Sequence, residues 1–141
     1  MQSRAHLSDP GAKPRGRVLV VEDDPEAALF AVYALEKGGR FAVTHTSDPL
    51  EALALAANEP WDLALTDLDL PLISGAELIA ALRRVAPGLP VILVTAHAGD
   101  DFPGGGGASQ PDRLLVKPVS AERLLAAAVT LAGGTTPAPE D

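Results

Sequence analysis

Between residues 17 and 132 the chain alternates short apolar runs with longer segments that repeat small and apolar residues at helical spacing. The five apolar runs cover residues 18–21, 41–46, 61–66, 90–95 and 113–116. Runs this short are typical of buried strands, and strands that alternate with helices are typical of a parallel sheet with helices on both faces. The pattern therefore predicts an α/β fold, a doubly wound five-stranded parallel sheet.

The segments between the runs carry helix start signals. Asp48, Pro49 and Glu51 have the residue types of an N-cap, a first helical position and a third helical position. The other predicted starts are Pro25, Ser74 or Gly75, and Ser120. The polar, Pro- and Gly-containing ends predict flexible tails at 1–16 and 133–141, on either side of one domain at 17–132.

The composition excludes several classes of function. The formal net charge is −8, and so acidic a surface repels nucleic acid. The chain has no cysteine, no secretory signal and no apolar stretch of membrane-spanning length, which predicts a cytoplasmic protein without membrane partners.

Polar residues follow four of the five predicted strands. Glu22-Asp23 follows the first, Asp67 the third with Asp69 two residues later, Thr95 ends the fourth and Lys117 follows the fifth. Ligands of parallel sheets bind at the carboxyl ends of the strands, where these side chains are expected to converge.

Carboxylates brought this close together repel one another, and a divalent cation relieves the repulsion. Oxygen ligands without His or Cys favour Mg²⁺, with Mn²⁺ as the second candidate. A carboxylate beside such a metal can attack phosphorus and form an aspartyl phosphate, while a lysine and a hydroxyl contact the phosphoryl oxygens. The strand ends thus supply the groups needed for phosphoryl transfer to a carboxylate.

The chain also resembles the receiver domain of bacterial two-component response regulators across nearly all of 17–132. The matching pieces, in the order and spacing of the family, are VLVVEDD (18–24), LALTDLDLPLISG (63–75), PVILVTA (90–96) and VKP (116–118). The resemblance implies a flavodoxin-like receiver fold in which Asp67 is the phosphoacceptor and also a metal ligand. It further implies that Glu22 and Asp23 hold Mg²⁺ together with the backbone carbonyl of Asp69.

The resemblance assigns the remaining site residues in the same way. Thr95 is similar to the switch hydroxyl, Lys117 to the lysine that contacts the phosphoryl group, and Pro118 to the proline that is often cis. Pro71 and Gly75 match the loop that shapes the site. The side chains of Asp69 and His97 are expected to tune the lifetime of the phosphorylated state.

Two features depart from the family pattern. Receivers usually carry Tyr or Phe three residues before the lysine, where this chain has Leu114, so the usual aromatic switch is not expected here. Residues 96–116 read AHAGDDFPGGGGASQPDRLLV, where the family has its fourth helix. Since Gly costs about 1 kcal/mol and Pro about 3 kcal/mol in a helix interior, a Gly/Pro-rich loop is expected there instead.

The sequence analysis therefore predicts a stand-alone receiver that accepts a phosphoryl group on Asp67, with Mg²⁺, from a histidine kinase or a histidine phosphotransfer protein. It is expected to signal by protein–protein contact rather than to act as an enzyme; the downstream target and homodimerisation stay open. One alternative is a receiver-like binding module with altered or phosphorylation-independent switching. Another is a haloacid-dehalogenase-like phosphatase, in which Asp67-Leu68-Asp69 would be the Asp-x-Asp motif. That class normally places the motif on its first strand.

Overall fold

The computed structural model describes residues 16–96 and 109–133. The strands are β1 (Gly16–Val21), β2 (Phe41–Thr46), β3 (Leu63–Asp67), β4 (Val91–Thr95) and β5 (Arg113–Val116). The helices are α1 (Pro25–Glu36), α2 (Pro49–Asn58), α3 (Gly75–Val85) and α4 (Ala121–Gly133). Every predicted strand is present.

The five strands form one sheet in the order β2-β1-β3-β4-β5, and every neighbouring pair is parallel. This confirms the predicted sheet and places β3 at its centre. The order also leaves β1 and β4 on either side of β3. Because all strands run the same way, the residues that follow β1, β3, β4 and β5 meet at one edge, which we call the carboxyl edge. The opposite edge is the amino edge.

Each face of the sheet carries its own apolar cluster. The first joins β1, β3, β4 and β5 to α1 and α4 through residues such as Val18, Leu35, Leu65, Leu115 and Leu124. The second joins β1, β3 and β4 to α2 and α3 through residues such as Leu19, Ala56, Leu78, Leu82 and Leu93. Fully burying one Leu or Val side chain contributes about 1.5–3 kcal/mol, so the two clusters together fix the strands whose ends form the carboxyl edge.

All four described helices begin with a side chain that caps the first turn. Before α4 the Ser120 hydroxyl accepts a hydrogen bond from the Arg123 N–H at 3.1 Å, at the start that the sequence predicted. Asp24 accepts a hydrogen bond from the Ala27 N–H at 3.1 Å before α1, and Asp48 accepts one from the Leu50 N–H at 2.9 Å before α2. Ser74 and Glu77 form a reciprocal capping box before α3. The predicted cap at Asp48 and the predicted start at Ser74 or Gly75 are confirmed.

Some boundaries differ from the sequence prediction by one or two residues. Strand β1 begins at Gly16, whose N–H donates to the Arg40 carbonyl at 3.0 Å, and α4 ends at Gly133. Strand β3 begins at Leu63 rather than at Trp61. The Trp61 indole N–H donates to the Leu55 carbonyl at 2.9 Å, which ties this residue to the end of α2 instead.

The predictions for the segment between β4 and β5 fall mostly on residues 97–108. These residues, which include His97 and the glycine run, lie outside the described part of the chain, as do 1–15 and 134–141. Within 16–96 and 109–133 there are four helices and none of them lies between β4 and β5. None of these helices combines the length and the apolar character that crossing a membrane requires.

Candidate functional site

Three carboxylates converge at the carboxyl edge. Glu22 and Asp23 follow β1, and Asp67 is the last residue of β3, the neighbouring strand. Each residue offers one oxygen atom, and the three oxygens lie within 4.8 Å of one another. Glu22 and Asp67 are buried, whereas Asp23 is exposed. The structure thus brings together the three acidic residues that the strand ends predicted.

The turn that follows β1 fixes the direction of the Glu22 side chain. The Asp24 N–H donates to Glu22 Oε2 at 3.1 Å, and the Asp24 carboxylate in turn caps α1. Asp24 therefore has a structural role, while Glu22 and Asp23 are left to face Asp67.

Lys117 supplies the positive charge of the site. Its Nζ atom lies 3.3 Å from Asp67 Oδ1, and its side chain is 38% exposed, so the ammonium group also reaches solvent. The Lys117 N–H donates to the Thr95 carbonyl at 2.7 Å, which fixes the chain as it leaves β5. The peptide bond between Lys117 and Pro118 is cis, as the resemblance implied.

Burial and charge raise the pKa of two of the carboxyl groups. Desolvation is the main cause of the raised pKa of Asp67; the negative charge of Asp69 adds to it, and Lys117 opposes it. Desolvation also raises the pKa of Glu22, with the charges of Asp67 and Asp23 adding to it. The surroundings of Glu22 and Asp67 therefore disfavour the ionised form of each carboxyl group unless a cation is nearby.

The remaining predicted residues surround this cluster in different environments. Thr95 is buried at the end of β4, and Asp69 is exposed in the turn after β3. Pro71 is exposed in the same loop. Leu114 is partly buried and packs against the cluster formed with α2 and α3.

Gly75 lies against the backbone of the acceptor strand. A Cβ atom added to Gly75 would lie 2.5 Å from the Asp67 carbonyl oxygen and 2.8 Å from the Leu68 Cα atom. The Gly75 N–H donates to the Leu68 carbonyl at 2.7 Å. Only a residue without a side chain fits this contact, which explains the glycine at the start of α3.

Two residues near the cluster were not singled out by the sequence analysis. His45 is exposed, and its Nε2–H donates to the Glu22 carbonyl at 2.7 Å. Thr66 is fully buried, and its hydroxyl donates to the Asp67 carbonyl at 3.0 Å. The available signal for Thr66 was a hydroxyl residue inside the otherwise apolar run LALT, where valine would fill the same space.

The donor set fits a hard divalent cation. All three ligand candidates offer carboxylate oxygens, and burial raises the pKa of Glu22 and of Asp67, so a cation that stabilises their ionised forms would be favoured here. Mg²⁺ binds few carboxylates and keeps coordination positions for water and phosphate oxygens, which an acidic cluster with one exposed member allows.

Comparison with known proteins agrees with this architecture. The family profile of the response regulator receiver domain matches residues 18–129. A response regulator receiver protein of Anaeromyxobacter is 38% identical over 109 residues, which cover 77% of this chain and 45% of that protein. The chain spans about half the length of this relative and of a probable transcriptional regulatory protein of Salmonella typhimurium that it also matches.

Two solved structures show the same fold. A CheY-like response regulator receiver domain protein from Methanospirillum hungatei has a TM-score of 0.78 and 29% identity, covering 86% of this chain and 96% of that one. The receiver domain of a sensor histidine kinase from Pseudomonas aeruginosa, solved with a magnesium ion coordinated in its active-site cleft, has a TM-score of 0.76 and 24% identity. That match covers 85% of this chain and 99% of the other.

The profile match extends over most of the folded part of the chain. The acidic pair follows β1 and Asp67 ends β3, whereas the phosphatase alternative normally carries its Asp-x-Asp motif on the first strand. The resemblance inferred from the four sequence pieces is confirmed: this chain belongs to the response regulator receiver domain family of two-component systems.

Proposed function

We propose that this receiver domain, residues 17–132, accepts a phosphoryl group on Asp67 from a phosphohistidine of a histidine kinase or of a histidine phosphotransfer protein. The observation that carries the proposal is the convergence of Glu22, Asp23 and Asp67 beside the Lys117 ammonium group at the carboxyl edge. A cytoplasmic location belongs to the same proposal, because kinases of this class form their phosphohistidine from intracellular ATP.

In the proposed reaction an Asp67 carboxylate oxygen attacks the phosphorus atom and forms an acyl phosphate. The bond between phosphorus and the donor imidazole nitrogen breaks, and the imidazole leaves with the electron pair of that bond and takes a proton from solvent. Asp67 attacks as the carboxylate, and the nearby Lys117 favours this ionised form by opposing the effect of burial on the pKa of Asp67. The reaction needs no further reactant.

Glu22, Asp23 and Asp67 are the residues that would hold Mg²⁺, together with the backbone carbonyl of Asp69; Mn²⁺ suits the same oxygen donors. A bound cation offsets the negative charge of the carboxylates and of the transferring phosphoryl oxygens. The magnesium ion in the Pseudomonas receiver domain supports this choice of metal.

Lys117 and Thr95 complete the proposed site. The Lys117 ammonium, at 3.3 Å from Asp67 Oδ1, is placed to form an ion pair with a phosphoryl oxygen once Asp67 is modified. The Thr95 hydroxyl, at the end of the adjacent strand β4, would donate to another phosphoryl oxygen. Asp69 and His97 stay proposed tuning residues, although His97 lies outside the described part of the chain.

The phosphodonor protein must approach the carboxyl edge, and α1 offers it an apolar surface. Leu29 is 71% exposed, Phe30 40% and Tyr33 60%, and α1 begins only two residues after Asp23. Exposed large apolar side chains grouped on one helix mark a contact site for another protein. We propose this surface for the kinase or phosphotransfer partner.

Output is proposed to occur through protein–protein contact. Leu114, which packs against the second cluster where the family has Tyr or Phe, favours an altered mode of switching. This observation keeps a second candidate in place, a receiver-like binding module whose interactions are independent of phosphorylation.

The test is intact-mass spectrometry after incubation with a small phosphodonor, with Mg²⁺ or with a chelator. Wild type, Asp67→Asn and Asp62→Asn would be compared. Asp62→Asn removes one carboxylate at the amino edge, where the Asp62 side chain accepts the Arg17 N–H, and is the matched control. We expect one Mg²⁺-dependent phosphoryl adduct in wild type and in Asp62→Asn, and none in Asp67→Asn.

A wild-type protein that is folded but unmodified would next be offered a phosphorylated histidine phosphotransfer domain. Failure with both donors would overturn the proposal in favour of the binding module. An adduct that persists in Asp67→Asn would show that the acceptor is a different residue.

A further inference from the structure

We infer that Thr66 and Gly75 are positioning residues, which hold the backbone of Asp67 from the face of the sheet opposite to α1 and α4. This inference rests on the proposed function, because it concerns the placement of the acceptor carboxylate. Both act on the backbone carbonyl of Asp67, and through the backbone on the position of its carboxylate.

The position of Thr66 makes its hydroxyl unusual. Thr66 alternates with Ala64 and Leu68, so it faces the cluster formed with α2 and α3. Its register neighbours are Val21 on β1 and Leu93 on β4, both fully buried members of that cluster. A valine would fill this space without bringing a polar group into an apolar environment, where an unpaired hydroxyl is costly.

The hydroxyl is satisfied by the acceptor itself. Thr66 Oγ1 donates to the Asp67 carbonyl at 3.0 Å, and this hydrogen bond lies within the buried interior. The hydrogen bond restrains the peptide group that follows Asp67. It thereby helps to fix the direction in which the Asp67 side chain points, towards Glu22 and Lys117.

Helix α3 holds the same backbone from a second direction. The Asp67 carbonyl occupies the space that a Cβ atom at Gly75 would need, and the Gly75 N–H donates to the Leu68 carbonyl at 2.7 Å. The Ser74–Glu77 capping box fixes where α3 begins, so the first turn of the helix limits movement of the Asp67 backbone that it packs against. An alanine at Gly75 must displace the Asp67 peptide group, since backbone atoms rather than flexible side chains stand 2.5–2.8 Å away.

The rate at which Asp67 attacks phosphorus depends on how accurately its carboxylate is placed, and is therefore sensitive to such displacements. A misplacement of about 1 Å can lower a reaction rate about 100-fold. We expect Gly75→Ala to lower the maximal rate of Asp67 phosphorylation about 10- to 100-fold. We expect Thr66→Val to lower it about 5-fold, the effect of one ordinary hydrogen bond.

The experiment measures two quantities on each variant, well below its melting temperature. One is the maximal rate of phosphorylation by a small phosphodonor, with the donor concentration that gives half of it. The other is the Mg²⁺ dissociation constant by titration calorimetry, which also depends on the Asp67 carboxylate and needs no phosphorylation. In Thr66→Val and Gly75→Ala the maximal rate should fall and the Mg²⁺ dissociation constant should rise, while the half-saturating donor concentration stays unchanged.

Matched variants distinguish a positioning role from a general loss of stability or packing. Thr66→Ser keeps the hydroxyl donor and should restore wild-type values. Gly88→Ala adds the same methyl group at a glycine where it would meet nothing within 4 Å, and Thr44→Val makes the same exchange on edge strand β2. Neither control should change the rate or the Mg²⁺ affinity.

The outcomes are distinct for the two proposals. If wild type is never phosphorylated, the proposed function fails, and the Mg²⁺ constants of the variants still decide the positioning role. If wild type is phosphorylated but Thr66→Val matches it in both measurements, or Thr66→Ser fails as Thr66→Val does, the positioning role is wrong. A wild type that neither binds Mg²⁺ nor accepts phosphoryl overturns both.

Discussion

Acidic residues lie at both edges of the sheet, but they have different surroundings. At the amino edge, Asp62 donates its N–H to the Arg17 carbonyl at 2.9 Å and accepts the Arg17 N–H at 2.7 Å. Asp112 repeats this arrangement on β4: it donates to the Val91 carbonyl at 2.8 Å and accepts the Val91 N–H at 2.8 Å. Each of these carboxylates has its own donor.

Arginine side chains strengthen the amino edge. Arg83 lies 3.2 Å from Asp112 and also donates to the carbonyls of Leu89 and Gln110, which joins the end of α3 to the starts of β4 and β5. Arg17 pairs with Glu59 at 2.7 Å and stacks over the Trp61 ring, with 4.1 Å between its Cζ atom and the ring centroid. Negative charge at this edge is matched locally.

At the carboxyl edge Glu22, Asp23 and Asp67 face one another, and Lys117 is the cation that contacts Asp67. Burial raises the pKa of Glu22 and of Asp67, the reverse of what a well-paired carboxylate shows. The comparison shows that residue type alone does not distinguish a structural aspartate from a site aspartate. What distinguishes them is whether the fold keeps the carboxylates apart, as at the amino edge, or brings three of them within 4.8 Å of one another, as at the carboxyl edge.

The largest expected effect is a loss of stability at the amino edge. Asp112→Ala leaves the Val91 N–H and the Arg83 guanidinium without this acceptor, and we expect it to lower the free energy of unfolding by about 2–3 kcal/mol. In metal-free buffer Asp67→Ala should lower it far less, or raise it, since it removes a repelling charge. Urea denaturation of both variants measures this contrast. Asp112→Asn, which keeps an oxygen acceptor, should fall between Asp112→Ala and wild type, and equal losses for Asp112→Ala and Asp67→Ala would contradict the comparison.

Magnesium should stabilise the protein through the carboxyl edge. At a free Mg²⁺ concentration ten times the dissociation constant we expect a gain of about 1.4 kcal/mol in the free energy of unfolding. Asp23→Asn, a change at an exposed site, should remove most of this gain, whereas Asp62→Asn should keep it. Thermal unfolding with MgCl₂ and with KCl of equal ionic strength measures the effect; an equal gain in both salts would show that only screening is involved.

A smaller effect is expected from pH. The folded-state pKa values of Glu22 and Asp67 lie above their usual values of 4.5 and 3.8, so the folded state binds these protons more tightly than the unfolded state. The stability that they contribute is fully present below the unfolded pKa and is lost as pH rises through the folded pKa.

Without metal, Asp67→Asn should therefore gain stability relative to wild type as the pH is raised from about 4 to about 7. Urea denaturation of both proteins across this range measures the difference. A relative loss for Asp67→Asn over the same range would mean that Lys117 outweighs burial at this carboxyl group.

The sequence predicted the carboxyl edge better than the amino edge, for a physical reason. A polar residue directly after an apolar strand is a local signal, and parallel strands bring such residues together whatever the loops do. Glu22, Asp23, Asp67, Thr95 and Lys117 all end strands or follow them directly, and their placement at one edge followed from the sheet alone.

The pairs at the amino edge could not be predicted in this way. Asp62 and Arg17 are 45 residues apart, and Asp112 and Val91 are 21 apart, so nothing local marks them as partners. The contact of Gly75 with Asp67 depends on the exact position of α3, which the sequence placed only as starting at Ser74 or Gly75. Thr66 was missed because a threonine in a strand is ordinary until its hydroxyl is found to be buried.

The position of Trp61 determines what an optical experiment on this protein can measure. It is the sole tryptophan of the chain, and it lies at the amino edge, where its indole N–H is held by the end of α2 and its ring by Arg17. A cation or a phosphoryl group at the carboxyl edge lies at the opposite end of the strands from Trp61, too remote to quench the indole by contact. A change in tryptophan emission upon phosphorylation would thus report conformational change carried through the strands, and an unchanged emission would confine the response to the edge where it begins.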